Sequence, residues 1–448
     1  MGFRFQVKCA VLLLVSCFAI VRSVAQEPFP VTASYDNVLQ RAQQENKLLF
    51  LVIHRGDSVF SRFPTTFSAA IRQSLEDRFV SGVIPLPPDS VYHPLHRTFQ
   101  IDGSMYLFAD SDGMPLLRYN RPISNEDTLL MLIDSARVIA EGETMGTLLQ
   151  QYRKGVRSRA LLRSLLELYQ AFDMYTDEQV LNDYLAQLAV QELNNFETVV
   201  FLLSCGPAYD SRAYRLTHTN NKMVDSLYAA LPLPQRKRIN QRIINQTFRA
   251  SLDDRAYSHG LGRFVANTWQ PNYLRAALGQ SYYQMEYHRL VKDTTSYVVA
   301  ARNHYNRFYD RVSLDSLAKV DFASEQDTGR PTLDSAGNVA FLKWFSKHRK
   351  RYERDRAQGL DFASRQFLLF GEDHPQALSD AIRWQQKAIA LWPDNPRFRH
   401  TLALLLYQVG FYAQAEAEQE QVVDDLEDDS LIHRYMLDVL ERLRARTL

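Results

Sequence analysis

The chain has 448 residues, 23% of them charged and 46% hydrophobic, with 17 Gly, 17 Pro, 3 Cys and a formal net charge of +1. That composition excludes a collagen-like, low-complexity or disulfide-stapled chain, and at about 150 residues per domain it leaves room for roughly three globular units. Near-neutral charge also speaks against nucleic acid as a partner, because phosphate recognition ordinarily leaves a basic excess on the domain that performs it.

In chain order, Arg4 and Lys8 come first, followed by an apolar run over 9–21 interrupted by one serine, then Ser23, Val24 and Ala25. This is the layout of a secretory signal peptide over 1–25, and it predicts an exported protein, periplasmic or extracellular. The run falls short of the ~20 residues that span a bilayer and no later stretch reaches that length without a charge, so no membrane span is expected. A competing reading takes Leu14-Val15-Ser16-Cys17 as a lipobox, which would anchor the mature chain through Cys17. With Cys9 and Cys17 in or beside the export segment, Cys205 alone remains in the mature body. An intramolecular disulfide is therefore impossible, and the apolar neighbours at 199–203 predict a buried small hydrophobe.

Residues 35–140 alternate helical and strand-like patterns. Val38, Leu39 and Ala42 give 35–46 one apolar helical face, and the continuous apolar run 48–53 suits a strand buried on both sides. A helix over 67–79, a strand over 80–86, a strand over 105–109, the turn Asp110-Ser111-Asp112-Gly113 and a strand over 116–119 follow, with a helix over 127–140 closing the unit. A small α/β sandwich is expected.

This order resembles thioredoxin-like domains of exported bacterial proteins. Ala42-Gln43-Gln44-Glu45-Asn46-Lys47 is similar to the family's A-x-x-E-N-K helix end, and 101–108 followed by the Asp-rich turn resembles its V-x-G-x-P-T-x-x-F segment and D-x-D-G turn. The site positions depart from the family. Where it has W-C-x-x-C, this chain has His54-Arg55-Gly56-Asp57-Ser58, and where it has a cis-proline, this chain has Met105. Thiol–disulfide exchange needs an attacking thiolate and a resolving sulfur, so the loop of His54, Arg55, Asp57, Ser58 and Met105 is a degenerate site, read either as a peptide-contacting loop or as a solvated turn with a helix cap.

Beyond 142 the strands stop and helical spacing runs in series over 157–172, 177–193, 195–204, 221–231, 234–248, 271–290 and 297–309, which predicts a bundle or helical solenoid. The stretch 319–338 is rich in Asp, Ser, Gly and Pro and reads as a linker. At the end, Ala381 with Ala388 recurs 34 residues on as Ala415 with Val422, around Leu402, Ala403, Leu406 and Gly410. That period resembles tetratricopeptide repeats over 362–395 and 396–429, with 431–443 as a capping helix. The resemblance implies a protein- or peptide-binding groove lined by Arg397, His400, Leu404 and Tyr407, with Gln366, Phe370 and Asp373 in the preceding repeat.

Motifs for other chemistry are missing. His93 and His96 lack flanking metal-ligating partners, no hydrolase or phosphate-loop motif occurs, and no cofactor or metal is implied. The basic cluster 347–351 reads as a solvated helix face, with 416–429 as its acidic counterpart. The expected organisation is thus a signal peptide (1–25), a thioredoxin-like domain without catalytic cysteines (26–141), an α-helical domain (142–318), a linker (319–338) and a tetratricopeptide-like domain (339–448). The expected role is a non-catalytic scaffold binding proteins or peptides in the cell envelope, the alternative being an accessory factor in thiol–disulfide exchange that borrows cysteines from a partner.

Overall fold

A computed structural model describes residues 34–54, 68–86, 93–100, 103–269, 272–325, 335–369, 374–426 and 431–448. The export segment with Cys17, the loop residues Arg55, Asp57 and Ser58, and Phe370 and Asp373 lie outside the described residues. Two units share the chain, one ending at Leu193 and the other running Asn194–Leu448.

The first unit opens with α1 (Tyr35–Glu45), whose first turn is capped by the Ser34 hydroxyl accepting from Asn37 N–H and whose end is closed by Asn46 in the left-handed region (φ 50). Then come β1 (Leu48–His54), α2 (Ala69–Arg78), β2 (Phe79–Pro85), the short α3 (Pro94–Thr98), β3 (Met105–Ala109), β4 (Pro115–Tyr119) and α4 (Glu126–Ala140). The sheet order is β2-β1-β3-β4, with β1 parallel to β2 and antiparallel to β3, and β3 antiparallel to β4. Residues 49–53 of β1 are all buried, as their uninterrupted apolar run required. Asp110 Oδ1 closes the β3–β4 turn by accepting from Asp112 N–H (3.0 Å) and Met114 N–H (2.8 Å). Gly113 takes φ +81 there, and a Cβ would meet the Tyr35 hydroxyl at 2.6 Å, so only glycine fits. One core layer gathers Phe50, Val52, Tyr106 and Phe108 from the sheet with Ile71, Leu75, Leu129 and Ile133 from the helices. Each such side chain contributes about 1.5–3 kcal/mol by leaving water.

Helices α5 (Met145–Arg153), α6 (Arg159–Ala171) and α7 (Glu178–Leu185) belong to this unit, so its boundary lies some fifty residues past the expected 141/142. The reason is backbone pairing. Gln100 N–H donates to Asp173 O (2.7 Å), Tyr175 N–H donates to Thr98 O (3.0 Å), and Arg118 donates to Phe172 O (2.9 Å) while pairing with Asp173 (3.3 Å). None of these polar contacts has a periodic signature.

The second unit is helical throughout its described residues: α8 (Phe196–Ser204), α9 (Arg212–Thr217), α10 (Asn221–Ala230), α11 (Leu233–Asp253), α12 (His259–Thr268), α13 (Tyr273–Leu290), α14 (Thr294–Tyr305), a π-helical segment (Asn306–Arg311), α15 (Leu314–Glu325), α16 (Ser335–Leu368), α17 (Pro375–Leu391), α18 (Pro396–Gln408), α19 (Tyr412–Asp424) and α20 (Leu431–Ala445). The stretch expected as a linker is helical at both described ends, in α15 up to Glu325 and in α16 from Ser335, because Phe322, Phe341 and Trp344 pack together across it. Cys205 sits buried at the end of α8. From α16 onward each helix packs on the next, and α18 also reaches α16.

Candidate functional site

The helices that end the chain are held in register by two buried glutamines 34 positions apart, Gln385 on α17 and Gln419 on α19. Each donates from Nε2 to a backbone carbonyl of the following helix, Gln385 to Phe398 O and Gln419 to Met436 O, both at 2.9 Å. A buried amide without a partner would cost about 1–3 kcal/mol, so each pair fixes which residues of the next helix face outward.

The groove residues expected on α18 divide between two neighbours. Arg397 turns to α16, where its guanidinium donates to Asp361 Oδ2 (2.8 Å). His400 turns to α19 and donates from Nδ1 to Gln419 Oε1 (2.9 Å), the tautomer following from the use of the glutamine Nε2 elsewhere. Burial holds the His400 imidazole below the usual histidine range. Leu404 is half-buried against the cluster of Leu402, Ala415 and Val439, and Tyr407 meets the Tyr412 ring at 5.2 Å. Gln366 is half-buried on the last turn of α16.

Sequence reading missed the residues that complete this surface. The Tyr435 ring lies 6.2 Å from the His400 imidazole, and Leu431 (79% exposed), Ile432 (59%) and Tyr435 (58%) leave the first turns of α20 apolar and open to water. The signal was present in the apolar residues of the run Leu431-Ile432-His433-Arg434-Tyr435.

A second arrangement has catalytic residue types but not catalytic electrostatics. Ser281 Oγ lies 3.0 Å from His304 Nδ1 and borders a cleft of about 330 Å3 between α13 and α14, lined also by Gln284, His288 and Asn303. His304 is 1% exposed, and burial lowers its pKa to about 4. Such a ring is too weak a base to take a serine proton near neutral pH. Its effect is on stability instead. The folded-state pKa lies below the unfolded value of about 6.5, so this contribution is complete above pH 6.5 and is lost as pH falls toward 4. We expect urea unfolding at pH 5 to show about 2 kcal/mol less stability from this group than at pH 7, and His304→Gln to flatten that slope. An unchanged slope in the variant would contradict the assignment.

In the first unit, His54 ends β1 half-buried, and Met105 is fully buried opposite Ile53 at the start of β3. His93 caps α3, its Nδ1 accepting from Leu95 N–H (3.2 Å). Among the described residues no group of three or more His, Cys, Asp or Glu side chains is placed to hold a metal ion, and no helix is long and apolar enough to cross a membrane. Compared with protein-family models, curated proteins and solved structures, the chain finds no match in any of the three.

Proposed function

We propose that this chain is an exported, non-catalytic interaction protein. A thioredoxin-like α/β layer without catalytic cysteines precedes a tetratricopeptide-type helical stack, and the stack binds another protein or peptide in the cell envelope through the surface where α18 and α20 meet. The observation that carries this reading is the exposed trio Leu431, Ile432 and Tyr435 beside His400. Exposed large apolar side chains gathered in one place mark interaction surfaces far more often than singly scattered ones do, and tyrosine is enriched where binding energy concentrates. The equivalent glutamine pairs at a 34-residue spacing support the repeat reading, and parallel β1–β2 pairing followed by an antiparallel hairpin and a closing helix is compatible with the thioredoxin-like one.

A photo-crosslinking amino acid placed at position 435 is expected to capture a partner peptide in the envelope fraction, whereas one at exposed position 441 on the same helix is not. Adding Leu431→Ser and Ile432→Ser should reduce capture at 435 at least tenfold. Equal capture from both positions, or capture indifferent to the serines, would sink the proposal. The redox side is tested separately: insulin disulfide reduction by the purified mature chain is expected at the uncatalysed rate, since the cysteine left in its body, Cys205, is buried.

A further inference from the structure

The first half of α16 carries a charge pattern that the protein-binding surface does not use. Lys343, Lys347, Lys350 and Arg354 are all exposed. At 100° and 1.5 Å per residue they fall within an arc of about 60° and form a straight row about 16 Å long. The arginines beside them are neutralised on their own helix, Arg349 by Glu353 (2.8 Å) and Arg351 by Asp355 (3.6 Å). The three lysines make no ion pair with any described residue, and Arg354 rests over the Trp392 ring at 4.9 Å. One turn ahead of the row, about 20° outside its arc, stands Val339 (68% exposed), with Leu342 (62% exposed) about 60° further round the helix. The opposite face of this half-helix is occupied: Phe341 and Trp344 pack against Phe322 of α15, and Tyr352 donates its hydroxyl to Asp321 (2.9 Å). The row therefore lies on a solvent-exposed face in the first half of a helix whose rotation is fixed.

We propose that this face docks the protein peripherally onto an anionic lipid surface. Two features distinguish that occupant from other polyanions. Two apolar side chains at one end can enter the headgroup–acyl boundary while the long lysine stems reach back to phosphates, the usual division of labour in an interfacial helix. The face also offers no exposed aromatic ring for base stacking, since Trp344 and Phe345 are turned into the packing with Phe341, and its central cations are lysines where base-edge recognition favours the forked arginine. Docking of this kind needs no membrane-crossing helix.

The test is co-sedimentation of the mature chain with vesicles of phosphatidylcholine alone and of phosphatidylcholine with 30% phosphatidylglycerol, at 0.05 and 0.3 M salt. Binding is expected only to the anionic vesicles and is expected to fall steeply with salt. At about fivefold per lysine, neutralising the row with Lys343→Gln, Lys347→Gln and Lys350→Gln should lower the partition coefficient about 100-fold. Val339→Ser with Leu342→Ser should lower it several-fold while leaving the salt dependence intact. All five side chains are exposed, so circular dichroism should match the parent, and Arg349→Gln, which removes a charge already paired, serves as a control with little effect. No preference for anionic vesicles, or equal binding by the triple variant, would overturn the proposal. Binding to duplex DNA or to an acidic polypeptide through the same lysines, without vesicle binding, would overturn it in favour of that other partner.

Discussion

Trp384→Ala should unfold the second unit about 3–5 kcal/mol more easily than the parent chain, the usual cost of removing a large aromatic from a packed core. Trp384 is fully buried on α17, its ring 5.3 Å from Tyr305 and 5.2 Å from Phe367, so it joins α14, α16 and α17 in one contact. Its indole N–H donates to Asn306 Oδ1 (2.8 Å), an oxygen that also accepts from Arg383 (2.7 Å). Asn306 opens the π-helical segment, and the indole contact ties that irregular backbone to the core. Trp384→Phe keeps most of the packing and loses the hydrogen bond, so about 1–2 kcal/mol is expected. Since whole domains are stable by only about 5–15 kcal/mol, the alanine variant should lower the urea midpoint by a large fraction. A change below about 1 kcal/mol would show that the three helices do not depend on this ring.

Asp361→Ala is expected to destabilise the same unit, for a polar reason. The Asp361 carboxylate is fully buried on α16 and accepts from Arg365 (3.0 Å), Arg397 (2.8 Å), the Thr401 hydroxyl (2.9 Å) and Gln385 Nε2 (3.3 Å). Removing the carboxylate leaves the half-exposed guanidinium groups to water and deprives buried Thr401 and Gln385 of an acceptor, which costs about 1–3 kcal/mol. Arg397→Ala removes only a half-exposed arm and leaves Arg365 in place, so a loss of no more than about 1 kcal/mol is expected. The two midpoints, measured side by side, decide whether the network centres on the carboxylate. Equal effects would mean that it does not.

Apolar periodicity carried much of this architecture in the sequence. The five-residue buried run of β1, the Asp110–Gly113 turn, α4 and α20 all fall within a few residues of where spacing placed them, since in each apolar burial dominates. Contacts that leave no period were hidden. The bridge from Thr98 and Gln100 to Asp173 and Tyr175 moved the unit boundary, and the Phe322–Phe341–Trp344 packing turned the ends of a polar-looking stretch into helix. The surface around α18 and α20 was half legible. Spacing selected His400 and Tyr407, but it could not show that Arg397 closes on Asp361 while Tyr435 stays open to water. Likewise the basic run 347–351 looked uniformly solvated, and only the geometry of α16 separates its paired arginines from its unpaired lysines.

At 34 residues α16 is about 51 Å long, and it takes part in two apolar clusters. Its first half meets Phe322 of α15, and its second half places Leu360, Ala363 and Phe367 around Trp384. Between them, buried Arg356 donates to the Val312 (2.8 Å) and Phe308 (3.5 Å) carbonyls, anchoring the helix midpoint to the turn that follows α14. Neither cluster can melt without releasing backbone that the other requires. Amide protons from both halves should therefore exchange with one shared opening free energy, and loosening the tryptophan end should be felt three turns past the midpoint, at the end that carries the lysines.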